Sequence, residues 1–142
     1  MYHYLMCGLD NVYLKNGYTI VTDEEHGGCI SITNAETLHK CIVKTLVSVE
    51  RRLSFAELDF LRKAMDMDTK AFFLSIGSVC GVTPWISVGE ECLFRMLVAG
   101  KLLRLKLSPS TLMGAMLRDV PISNMYFELK TIWKRTNESS CV

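Results

Sequence analysis

The chain has 142 residues, with a mean hydropathy of +0.21, 49% hydrophobic and 22% charged residues. That length and balance suit one globular domain with a core of its own and exclude a disordered or low-complexity chain. The formal net charge of +1 points by itself to neither nucleic acid nor membrane. No apolar run approaches the roughly 20 residues needed to span a bilayer. The first residues, Met1-Tyr2-His3-Tyr4, lack the layout of a signal peptide, so a cytoplasmic protein is expected.

Residues 1–33 read as β-rich. Val12-Tyr13-Leu14 and Tyr18-Thr19-Ile20-Val21-Thr22 are β-branched and aromatic, and Asn16-Gly17 between them is a hairpin signal. Cys29–Ile32 gives a third strand, so a three-stranded antiparallel meander is expected. Thr33-x-x-Glu36 fits a capping box. Leu38, Cys41, Ile42, Thr45, Leu46 and Val49 then recur at helical spacing, and Arg51-Arg52 closes that helix. Ser54-x-x-Glu57 is a second capping box, with Leu53 and Leu58 at the positions of a hydrophobic staple. Its helix should turn Leu58, Leu61 and Met65 inward.

Asp68 caps a third helix from Thr69 to about Ile76. Gly77 and Gly81 interrupt, and Thr83-Pro84 starts a short fourth helix. Glu90–Ala99 reads as a fifth, with Leu93, Phe94 and Leu97 inward and Gly100 as its stop. A helix of about Ser110–Arg118 lies between turn-rich segments. Tyr126–Trp133 follows as strand or helix, and 137–142 as a frayed tail. The division expected is 1–52 for the meander and its helix, 53–100 for a helical bundle, and 101–142 for a C-terminal extension suited to dimerisation. The fold class is α+β.

Of six cysteines, none sits in a CxxC pair. His26, Cys29, His39 and Cys41 are the nearest approach to a metal set. They lack the two tight ligand pairs of a structural zinc site, and a buried Cys packing as a small hydrophobe is the preferred reading. No metal or cofactor is expected. GxSxG, P-loop, GxGxxG and HExxH motifs are absent, and the acidic pairs Asp23-Glu24-Glu25 and Glu90-Glu91 read as solvated turns and caps. The expectation is a non-enzyme.

Short capped helices from Leu53 to about Leu97 are what a helix-turn-helix needs. The blocks Gly8-Leu9-Asp10-Asn11-Val12, Asn16-Gly17-Tyr18 and Leu38-His39 resemble the N-terminal region of bacterial Xre/Cro-type transcriptional regulators related to MqsA-like antitoxins. Leu53-Ser54-x-Ala56-Glu57-Leu58-x-Phe60-Leu61-Arg62-Lys63 is similar to the first helix of that family's helix-turn-helix. Cys92–Leu97 looks like the helix after its recognition helix, and Phe127-Glu128 to Trp133 like its C-terminal end. The resemblance implies a DNA-binding regulator, often a homodimer, and sometimes an antitoxin with a toxin partner that represses its own operon.

The sequence departs from the family between Gly77 and Gly89, a stretch with no Arg, Lys, Gln or Asn. In one register Gly81–Ser87 is the turn and recognition helix. In the other, Thr83-Pro84 matches the loop after a recognition helix that is mostly deleted. The residues expected at DNA are Thr83, Trp85 and Ser87 toward bases, and Lys63, Thr69 and Lys70 toward phosphates. Residues 53–98 carry four Lys/Arg against six Asp/Glu, whereas 99–142 carry seven against three. The alternative is a protein-interaction module, toxin-binding or self-associating, on a degenerate helix-turn-helix. A dimer face around Leu93–Leu105 fits both.

Overall fold

Strands near the two ends of the sequence pair with each other in the computed structural model, which describes residues 1–25, 27–75, 86–118 and 120–137. Six strands form in chain order: β1 (Tyr2–His3), β2 (Val12–Leu14), β3 (Tyr18–Asp23), β4 (Gly27–Ile32), β5 (Met125–Leu129) and β6 (Trp133–Thr136). Between β4 and β5 lie α1 (Ala35–Ser48), α2 (Phe55–Ala64), α3 (Thr69–Ser75), α4 (Val88–Val98), a π-helical turn (Ala99–Leu103) and α5 (Pro109–Met116). The class is α+β, with antiparallel strands at the N-terminus.

The chain groups into two units. Met1–Ile42 with Ser123–Val142 makes the first, and Val43–Ile122 the second. This grouping differs from the three-part division read along the sequence: residues 123–137 belong with the N-terminal strands rather than to a separate extension.

The first unit holds a four-stranded sheet in the order β1-β2-β5-β6, and a two-stranded sheet of β3 and β4. β2 runs parallel to β5 with Val12 opposite Met125 and Leu14 opposite Phe127, while β1–β2 and β5–β6 are antiparallel. Alternation along the strands buries Val12, Leu14, Met125 and Phe127 on one face. On the other face His3, Tyr13 and Tyr126 stack, with ring centroids 4.4 and 5.6 Å apart.

The single meander is therefore corrected. β3 pairs with β4, and β2 with a strand more than a hundred residues away. Asn16-Gly17 is a turn, but not a hairpin turn. The Asn16 amide donates to the Leu129 carbonyl (2.9 Å) and its side-chain oxygen accepts from Leu129 N–H (2.6 Å), replacing a strand partner. Gly17 has φ +76° and lies under the Trp133 ring. Trp133 Nε1 donates to the Thr33 carbonyl (2.8 Å), and Thr33 N–H donates to Gly17 O (2.9 Å). The dipeptide thus bends the chain out of one sheet and into the next.

In this unit Tyr4 is buried and its hydroxyl meets His39 Nε2 at 2.7 Å. Burial lowers the His39 pKa and so favours the neutral ring in the folded chain. The unfolded chain then binds more protons as pH falls below the ordinary value of 6.5.

The second unit packs helices. α2 buries Leu58, Phe60 and Leu61, and α3 buries Phe72. Cys92 of α4 packs with Leu112 and Met116 of α5. The α4 stripe is corrected: Glu91, Phe94, Arg95 and Val98 face inward, and Leu93 is 55% exposed. Gly100 does not stop the helix. The chain continues through the π-helical turn to Arg104, which takes the left-handed conformation at φ +54°.

Two outcomes follow for the first unit. Gly17→Ala places a Cβ 2.5 Å from the Trp133 ring in a left-handed conformation, whereas Gly8→Ala meets open space at φ +87°. Thermal unfolding should show a loss of about 1–2 kcal/mol for Gly8→Ala and distinctly more for Gly17→Ala. The His39 contribution is present in full above pH 6.5 and is lost as pH falls through that value toward the lowered folded pKa. Denaturant midpoints between pH about 5 and about 8 should therefore fall less on the acid side in His39→Gln than in the parent.

Candidate nucleic-acid interface

α2 starts at Ser54 because both halves of its capping box form. Ser54 Oγ accepts from Glu57 N–H (3.2 Å), and Ser54 N–H donates to Glu57 Oε1 (2.9 Å). It ends in a four-residue connection, Met65–Asp68, in which Asp66 has φ +55°. Arg62 holds this turn by donating to the Met67 carbonyl (2.7 Å). Asp68 then caps α3 by accepting from Ala71 N–H (2.7 Å). The Phe72 ring meets Phe94 of α4 edge to face, centroids 4.7 Å apart at 89°. Sequence-local signals therefore build a helix, a tight turn and a second helix, and one aromatic contact docks the second on α4.

A buried ionic cluster holds the segment before α2. Glu57 takes two bonds from the Arg51 guanidinium, at 2.7 and 2.8 Å. Glu91 takes Arg95 Nη2 at 2.7 Å, Arg52 Nε at 2.9 Å, and Leu53 N–H at 3.2 Å. Arg95 also donates to the carbonyls of Val49 (2.6 Å) and Arg51. Glu91 and Arg95 are fully buried, so the reading of Glu90-Glu91 as solvated is corrected for Glu91. Burial pushes the Arg95 pKa down, and the Glu91 carboxylate beside it works in the opposite direction.

The six residues expected at DNA do not share one environment. Lys63 is exposed, with its ammonium 3.1 Å from Asp59, and the hydrogen bond from Arg62 holds the Asp59 carboxyl below the usual range. Thr69 and Lys70 are exposed in the first turn of α3, next to the Asp68 carboxylate. Ser87 is exposed, but its hydroxyl accepts from Glu90 N–H (3.1 Å) and its N–H donates to Glu90 Oε1 (2.8 Å). It caps α4 rather than presenting a free hydroxyl. Thr83 and Trp85 lie outside the described residues, as do His26, Gly77, Gly81 and Pro84. Among the described residues no group of three or more His, Cys, Asp or Glu could hold a metal ion.

The residues that sequence reading missed are Arg51, Glu91 and Arg95. A signal was present: Glu91, Phe94, Arg95 and Val98 stand at i, i+3, i+4, i+7, the spacing of a buried stripe. No family model, curated protein or solved structure matches this chain.

Glu91→Gln leaves Arg95 buried without its countercharge. A loss of about 3–5 kcal/mol is expected in chemical unfolding, against a loss within about 1 kcal/mol for Asp59→Asn at the exposed pair.

Proposed function

We propose that the chain is a non-catalytic DNA-binding transcriptional regulator of the Xre/Cro helix-turn-helix type, cytoplasmic and homodimeric, able to act as an antitoxin toward a toxin partner. The observation that carries this reading is the α2–turn–α3 unit. Two capped helices are joined by four residues with Asp66 left-handed, and Phe72 docks the second on Phe94 of α4. A helix-turn-helix requires such a short, shaped connection so that the following segment can meet the major groove. Thr83 and Trp85 follow α3 and are the proposed base-facing residues, with Thr69, Lys70 and Lys63 toward phosphates. The N-terminal blocks around Gly8–Val12 and Asn16–Tyr18, with their resemblance to this regulator family, support the same reading. Among the described residues no helix is long and apolar enough to cross a membrane.

A second reading, a protein-interaction module on a degenerate helix-turn-helix, draws on the Ser87 hydroxyl bound as a cap, Lys63 paired with Asp59, and the Asp68 carboxylate at the head of α3. A carboxylate there opposes an incoming phosphate.

Fluorescence anisotropy separates the two. The full chain is titrated against duplex DNA from upstream of its own gene and against a scrambled duplex, over a salt series. A regulator binds the first at least about 10³-fold more tightly, and weakens steeply as salt rises. Equal, feeble binding to both, with other candidate operators also failing, leaves the interaction-module reading.

A further inference from the structure

Between Cys92 and Arg118 the sequence contains no Asp or Glu, but five Lys/Arg. Two of these are occupied. Arg95 is buried against Glu91, and Arg118 pairs with Glu50 at 2.9 Å. The other three, Lys101, Arg104 and Lys106, are exposed and have no ion pair among the described residues. They stand within six residues on one stretch of chain. Like charges held that close repel, and an anion relieves the repulsion.

The stretch is held by the fold. The α4 helix widens into the π-helical turn Ala99–Leu103, a local form that is rare in proteins. Ala99 is fully buried, and its carbonyl accepts from both Arg104 N–H and Leu105 N–H, the latter at 3.0 Å. Arg104 stands in the left-handed region, where a non-glycine residue is uncommon. At the other end Leu107 packs on the Cys92–Leu112–Met116 cluster. The backbone under the three cations is therefore tied to the core on both sides.

We propose that Lys101, Arg104 and Lys106 form a phosphate-contacting strip for the backbone of duplex DNA. This rests on the regulator reading and moves most of the phosphate contact away from α2 and α3. There Lys63 pairs with Asp59, and the Asp68 carboxylate caps the first turn of α3. The strip carries no sequence information of its own. Backbone contacts set affinity and register, and base contacts set specificity.

The test uses the full chain and two anisotropy probes, a duplex from upstream of the gene and a scrambled duplex of equal length. Lys101→Gln, Arg104→Gln and Lys106→Gln are combined in one variant. A control variant, Lys40→Gln with Lys44→Gln and Lys130→Gln, loses the same net charge elsewhere. A third, Lys101→Arg with Arg104→Lys and Lys106→Arg, keeps the charge. Each phosphate contact contributes about 0.9 to the slope of log K against log salt. The strip variant should lose about 2–3 from that slope on both probes, and bind each at least about 10-fold more weakly at 0.1 M salt. The control and the charge-preserving variant should keep the parent slope.

An unchanged slope in the strip variant overturns the strip and leaves the regulator reading standing. A strip-dependent slope with no preference for the upstream duplex upholds the strip and overturns sequence-specific regulation. Failure of the parent chain to bind either duplex overturns both. Strip-dependent capture by phosphatidylserine vesicles, with neither duplex bound, assigns the cations to a membrane surface and also overturns the proposal.

Discussion

The second unit depends on two carboxylates and two guanidiniums that the core has closed over. Glu91 and Arg95 lie one turn apart on α4, fully buried, and between them they bind Val49 O, Arg51 O, Arg52 and Leu53 N–H. Those are the residues that join α1 to α2. Desolvating charges is costly, and the cost is offset only where each charge meets a partner of good geometry. The cluster therefore fixes one path for the α1–α2 connection, which sets where α2 begins. Glu57 couples this to the cap of α2, since it bonds both Arg51 and Ser54 N–H. A connecting segment held this way gives the α2–turn–α3 unit a rigid base.

The first unit is governed by a different constraint, the pairing of β2 with β5. Parallel neighbours need a crossover connection. Here that crossover is long enough to contain the whole of the second unit. Asn11 helps to define the register: its backbone carbonyl accepts from Met125 N–H (2.7 Å), and its side chain donates to Ser123 O (3.0 Å). Asn16 does the same at the far end of β5, where its side chain bonds both backbone groups of Leu129. The ends of the strand pair are thus set by side chains that turn the chain as well as by the ladder itself.

The charges of the second unit sort by partner rather than by count. In the sequence the segment 53–98 is acidic, which argues against DNA. In the fold, Glu57 and Glu91 are neutralised inside, and Asp59 and Asp68 are engaged within α2 and at the head of α3. Lys101, Arg104 and Lys106 have no such partners among the described residues, and that difference directs the proposed backbone contact to them. The α2–turn–α3 unit and the three cations are separate features of one unit, and under the proposed reading they would answer separate questions, base readout and backbone affinity.

Signals that act within one or two turns of chain were legible in the sequence. The capping box at Ser54, the Asp68 cap, the helices α1, α2 and α4, and the turn after α2 all arise from hydrogen bonds between residues close in sequence. The α+β class follows from them together with the periodicity of the apolar residues. Partner choice was not legible. Val12–Leu14 reads as a strand, but only the three-dimensional chain brings Met125–Phe127 beside it instead of Tyr18–Val21, because pairing energy depends on which strand is near and not on the strand's own residues. Burial of Glu91 and Arg95 has the same origin. Their spacing marked a stripe, but an ionisable residue enters a core only when a partner and several backbone groups meet it there, and tertiary packing alone assembles those groups.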